Sequence, residues 1–179
     1  MIFVDTSFWI ATIAASDANH EQATQLANEA SDRLVTSNHV RGETWTFLNR
    51  RYGHAPAVAF VDALARTVRL RVEFVSRDLE DEALRWLLQH DEREYSFVDA
   101  TSFAVMRALR IREAFAFDGD FAAVGFVELR AKTVSEWSSR VPAPELQPRG
   151  SSSTNVEPSL GSESTVISPP IRRASSRQM

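Results

Sequence analysis

Met1-Ile2-Phe3-Val4-Asp5-Thr6-Ser7 opens the chain. A short unbroken apolar run that stops at an acid and two hydroxyls reads as a strand covered on both faces, the kind found in parallel sheets. Asp5 is then the first residue past the strand's C-terminal end. In open α/β sheets, ligands bind in the crevice just outside that edge. A second stretch, Ala114-Phe115-Ala116-Phe117 followed by Asp118, repeats the pattern.

Between these two runs the chain alternates apolar strands with helical segments. Residues 6–14 read as a short helix. Asn19 to Ala30 reads as a second, with Asn19-x-x-Gln22 resembling a capping box. Leu34-Val35-Thr36 is a strand, and Asn38 to Tyr52 a helix with Gly53 at its C-terminal cap. Pro56 suits the first turn of a helix reaching about Val68. Arg71 to Val75 alternates as a strand, and Asp78 to Gln89 is an amphipathic helix. Residues 91–95 form a charged loop, Phe97 to Leu109 an apolar helix and Ala114 to Phe117 a strand. A short helix near Phe121 and a strand at Val127 to Leu129 follow. This alternation predicts an α/β domain, with helices on both faces of a parallel sheet.

The bulk numbers agree. The 179 residues are 44% hydrophobic and 25% charged, ordinary for one globular domain plus an appendage. With no cysteine, disulfides and thiolate metal sites are excluded. No apolar stretch is long enough to span a bilayer, and Phe8 to Ala15 lacks the basic start of a signal peptide, so the expected location is cytoplasmic. The net charge is −4. Residues 1–140 carry 16 basic and 21 acidic side chains, so nucleic-acid binding would need cations and a local arginine patch to offset the acids. Composition changes near Val141, and six of the seven prolines lie after it, mixed with serine. Residues 1–140 are therefore expected to form the domain and residues 141–179 a disordered Ser/Pro-rich tail.

Four acids carry the chemistry: Asp5, Glu43, Asp99 and Asp118. Each also has a plain structural role. Asp5 can cap the helix that follows it. Glu43 borders the apolar stripe Val40, Thr44, Phe47 and Leu48, where glutamates commonly reach water. Asp99 can be the acidic partner of a capping box begun by Ser96. Asp118 opens Asp118-Gly119-Asp120, a turn sequence, with Asp120 as an auxiliary acid. Clustering would outweigh these readings, because several carboxylates in one place need cations or protons to be tolerated. An all-oxygen donor set suits Mg²⁺ or Mn²⁺ and metal-assisted attack on a phosphodiester.

Other candidates are weaker. His20, His39, His54 and His90 lack metal-ligand spacing and read as surface or cap residues. Trp9, Trp45 and Trp86 fall in helical patterns and read as core. Arg41, Arg50, Arg51 and Arg107 are available to phosphate, though most such residues are simply solvated.

The order of these motifs resembles the PIN-domain nucleases. The strand ending in Asp5-Thr6-Ser7, the helical Glu43, Tyr95-Ser96-Phe97-Val98-Asp99-Ala100 and Phe117-Asp118-Gly119-Asp120-Phe121 carry the likeness, over about residues 1–135. The compact length is similar to that of VapC-type toxins of toxin–antitoxin pairs. The resemblance implies a three-layer α/β/α fold with a short central parallel sheet. It implies a Mg²⁺- or Mn²⁺-dependent endoribonuclease, with Asp5, Glu43, Asp99 and Asp118 as the catalytic, metal-holding acids and Thr6 or Ser7 as supporting hydroxyls. It also implies a homodimer formed through helices of the first half. A small antitoxin would insert its C-terminal segment near the acids. Three other readings compete. They are an RNA-processing PIN nuclease, a non-catalytic RNA- or protein-binding module, and a phosphatase using Asp118 as nucleophile. The last is disfavoured because the motif comes late and Phe121 follows it.

Overall fold

The elements, in chain order, are β1 (Ile2–Val4), α1 (Thr6–Ile13), α2 (His20–Glu29), β2 (Leu34–Ser37), α3 (Asn38–Tyr52) and α4 (His54–Arg66). Then come β3 (Leu70–Glu73), α5 (Arg77–Leu87), α6 (Phe97–Leu109), β4 (Glu113–Phe115), α7 (Asp120–Ala123) and β5 (Val127–Glu128). The computed structural model describes residues 1–131, and the expected tail at 141–179 lies outside them.

The five strands form one sheet in the order β3-β2-β1-β4-β5, every neighbouring pair parallel. The α/β fold expected from the alternation is the fold observed. All C-terminal strand ends therefore share one edge. From β1 the chain steps to β2 and β3 on one side and later crosses to β4 on the other, so the order reverses between β1 and β4. That reversal opens the crevice in which open α/β sheets bind ligands. Asp5 follows β1 and Asp118 follows β4, one on each side of it.

Register explains a small difference from the sequence reading. Ile2, Phe3 and Val4 pair with Glu113, Ala114 and Phe115, so β4 begins and ends earlier than the apolar run 114–117. Asp118 thus sits at the end of a short loop, three residues past the strand. β3 also stops early, at Glu73, as a half-exposed edge strand. The capping box expected at Asn19 does not form. The Asn19 side chain makes no cap bond, and its backbone N–H instead donates to Asp17 Oδ1 at 2.8 Å.

The core is aromatic where it touches the crevice. Phe8 stacks on Phe115 at 4.6 Å between centroids. Phe103 of α6 meets Phe121 edge-on at 5.1 Å and Trp86 at 5.4 Å. Trp9 is buried, while Trp45 and Trp86 are half-buried against the core, as their helical spacing predicted. Phe103 lies one helical turn after Asp99, and Phe121 directly follows Asp118-Gly119-Asp120. Their contact therefore sets the separation of α6 from the Asp118 loop. Replacing the fully buried Phe121 by alanine is expected to lower stability by about 3–5 kcal/mol in urea unfolding. A loss below about 1 kcal/mol would mean that this aromatic contact does not hold the loop.

Candidate active site

Asp5 caps α1 at the end of β1. Its Oδ2 accepts from Ser7 N at 2.9 Å and Ser7 Oγ at 2.8 Å. The same Ser7 Oγ accepts from Phe117 N at 3.0 Å, which ties the β1–α1 corner to the loop carrying Asp118. Thr6 Oγ1 donates to Glu43 Oε2 at 2.5 Å and draws α3 to that corner. Both hydroxyls beside Asp5 thus hold the acids rather than face a ligand alone.

Asp99 completes a capping box. Ser96 N donates to Asp99 Oδ2 at 2.7 Å, and Asp99 N donates to Ser96 Oγ at 3.1 Å. Asp118 Oδ1 accepts from Asp120 N at 3.0 Å across a turn in which Gly119 has φ +83°, a conformation costly for any residue with a Cβ. Asp120 Oδ1 accepts from Arg93 Nε at 2.8 Å and pairs with Nη2 at 2.5 Å. In all five acids the short hydrogen bonds fall on one oxygen. The other oxygen has no short protein partner among the described residues.

Ligand oxygens of Asp99, Asp118 and Asp120 all lie within 4.8 Å of one another. Asp120, read from sequence as an auxiliary, is therefore in the tightest group. Asp5 and Glu43 flank that group without entering it. The charge of Asp118 acts on Asp5, and those of Asp99 and Asp118 act on Glu43. Burial is the main cause of a raised proton affinity at every one of the four predicted acids. Asp5, 2% exposed, is pushed up to about 8 by burial and then by Asp118. Asp99 and Asp118 feel other carboxylates as well.

Arg93 is the residue that sequence reasoning missed. It appeared only as part of the charged loop 91–95. Among the described residues it is the one side chain forming an ion pair with these acids. No local pattern could reveal that, since its partner is 27 residues away. His39 is not a plain surface residue either. It is 18% exposed, with Nε2 3.1 Å from Glu80 and Nδ1 3.3 Å from Thr101 Oγ1. Of the arginines considered for phosphate, Arg41 lies over Phe74 and Arg107 over Trp86.

The donor set fits a hard divalent cation. It is made only of carboxylate oxygens, it carries more negative charge than one arginine balances, and each acid keeps an oxygen in reserve. The PIN domain family model matches residues 2–127. This chain is a VapC-type PIN domain. It is 61% identical over 130 residues to the 23S rRNA-specific endonuclease VapC20 of Mycobacterium tuberculosis strain CDC 1551 / Oshkosh, covering 73% of this chain and 98% of that protein. The VapC20 of strain H37Rv matches equally. A crystal structure of M. tuberculosis VapC20, described as a sarcin–ricin loop cleaving toxin, aligns with a TM-score of 0.70 at 59% identity. That alignment covers 73% of this chain and 100% of the other. The PIN domain inferred from sequence is thus the domain that the family model matches. Among the described residues, no helix is long and apolar enough to cross a membrane.

The raised proton affinities give the PIN domain a characteristic pH response. A carboxyl that binds its proton more tightly folded than unfolded stabilises the fold only while protonated. As pH rises from the usual carboxylate value of 3.8 toward about 8, the folded state keeps a proton on Asp5 that the unfolded chain has released. Stability should therefore fall over that window, by up to about 1.4 kcal/mol per pH unit for one such group. The check is the melting temperature in EDTA between pH 5 and 8. It should decline, and an added divalent cation should reverse the decline above pH 7. A flat or rising profile in EDTA would contradict the burial of these charges.

Proposed function

We propose that this chain is a metal-dependent endoribonuclease that cuts the sarcin–ricin loop of 23S rRNA and serves as the toxin of a type II toxin–antitoxin pair. One observation carries the reading. Asp99, Asp118 and Asp120 converge at the sheet's switch point, with Asp5 and Glu43 near enough to feel their charge, in a chain 61% identical to nearly all of an endonuclease named for that RNA. The sarcin–ricin loop is the RNA that the related VapC20 toxin cleaves.

In this reading Asp5, Glu43, Asp99 and Asp118 hold Mg²⁺ or Mn²⁺, with Asp120 as a further ligand or water acceptor. A bound cation supplies positive charge against the scissile phosphate and acidifies the attacking water. The chain's own residues do the rest. Ser7 fixes the Asp5 carboxylate and the Asp118 loop at one distance. Thr6 holds Glu43 against them. Arg93, partly exposed and paired with Asp120, keeps a cation beside the acids where the phosphate would sit.

The likeness to VapC toxins brings two protein partners to this reading, a second copy of the chain and a small antitoxin. An arginine on the antitoxin would find the free carboxylate oxygens ready acceptors. The place of action would be the cytoplasm, where ribosomes are.

The test is cleavage of a sarcin–ricin stem–loop by wild type and Asp99→Asn, with Mg²⁺, Mn²⁺ or EDTA. Wild type should cut only with metal, and the variant should lose roughly a hundredfold or more in rate. Asparagine keeps an oxygen for Ser96 N, so the variant's melting temperature in EDTA should equal or exceed that of wild type. Metal binding without any cleavage by wild type would favour the non-catalytic binding module.

A further inference from the structure

A groove of about 780 Å³ runs beside the acids rather than among them. One face of α3 forms its length. Its lining includes Gly42, Glu43, Phe47, Arg50 and Arg51 of α3, with Phe97 of α6 opposite. Glu43 belongs to both the groove and the acid site, so the two are continuous.

Three features of the groove suit a ligand. Phe47 and Phe97 are 42% and 38% exposed, far more than core phenylalanines. Phe97 leans on His39 at 5.5 Å, which Glu80 and Thr101 hold from α5 and α6, while Phe47 packs against Tyr52 at 6.3 Å. Both rings are thus supported but keep an open face. Arg50 and Arg51 form no ion pair among the described residues, in a domain with many acids. Finally, Gly42 sits inside a helix, where glycine is unfavourable, and a Cβ there would meet nothing within 4 Å. Packing does not demand that glycine, but a ligand lying close on the helix would.

We infer that this groove is the substrate-positioning subsite for an unpaired nucleotide next to the scissile phosphate. The base inserts between Phe47 and Phe97 over Gly42, and its flanking phosphate is held by Arg50 and Arg51. This rests on the endoribonuclease reading and deepens it. Single-stranded RNA is recognised by bases splayed onto aromatic rings and by arginine on phosphate. The charge also selects the occupant. Unpaired arginines at the groove's far end match an anion, and because Glu43 lines the groove and also borders the acids, the next phosphate would lie toward the residues that would hold a cation.

The test uses the full chain and a sarcin–ricin stem–loop RNA, comparing wild type with Phe47→Ala, Gly42→Ala and the double variant Arg50→Ala/Arg51→Ala. In Mn²⁺, Phe47→Ala should raise KM about tenfold with kcat little changed, and the Mn²⁺ midpoint should not move. Gly42→Ala should raise the melting temperature yet also raise KM, opposite signs that a structural role would not produce. For the double arginine variant, the slope of log affinity against log salt, measured in EDTA, should shrink by about 1.4. Wild-type cleavage with KM unchanged in all three variants overturns the subsite alone and leaves the groove to a peptide partner. Absence of cleavage by wild type overturns both this subsite and the nuclease reading.

Discussion

Repulsion among carboxylates is the constraint around which the structure is organised. Two such charges about 4 Å apart cost roughly 4 kcal/mol at an effective dielectric near 20. Three ligand oxygens lie within 4.8 Å here, and Asp5 and Glu43 lie close enough to feel the same charges. Left free, such side chains would swing outward into water. They are held by short hydrogen bonds from Ser7, Thr6, Ser96, Asp120 N and Arg93, and by the Phe103–Phe121 contact that fixes the underlying elements. Part of the hydrophobic stabilisation of the domain is therefore used to hold charges where they repel.

The anchoring also resolves an ambiguity of the sequence. Asp5 and Asp99 could each be explained as helix caps, with no chemistry at all. Both are caps. A carboxylate has two oxygens, however, and the cap occupies only Oδ2 in each case. Capping then orients the second oxygen and places the acid near the positive end of a helix, which favours its charge. The structural and the functional role are carried by one side chain at the same time.

Much of this was legible because it depends on local pattern. Short apolar runs marked β1 and β2, helical spacing marked α3 and α6 with the bounds observed, and Asp118-Gly119-Asp120 marked a turn. What escaped depends on tertiary position. The end of β4 is set by pairing with β1, not by where the apolar residues stop. The Asn19 side chain makes no cap bond, and the turn before α2 is instead held by Asp17 Oδ1 accepting from Asn19 N. Asp120 joins the inner group only because Gly119 folds the chain back, and Arg93 reaches it from a loop that sequence places far away. The tightest part of the site was thus the least legible part, since it is assembled by turns and long-range pairs.

An acidic domain that handles RNA needs its charge arranged, not merely reduced. Helix α3 shows how one element can do this. Near its start Glu43 faces the acid cluster, and at its end Arg50 and Arg51 complement the negative end of the helix dipole. Seven residues separate Glu43 from Arg50, about 10 Å along the axis at 1.5 Å per residue. A polyanion lying along this face would meet cation-filled carboxylates at one end and guanidinium groups at the other, with apolar ring faces between. Without a cation the first contact would be repulsive, so on the proposed reading metal loading and RNA engagement would favour each other through electrostatics alone. On that reading the net negative charge of the domain would act as a filter, weakening general attraction to nucleic acid and favouring a face where charge and shape agree.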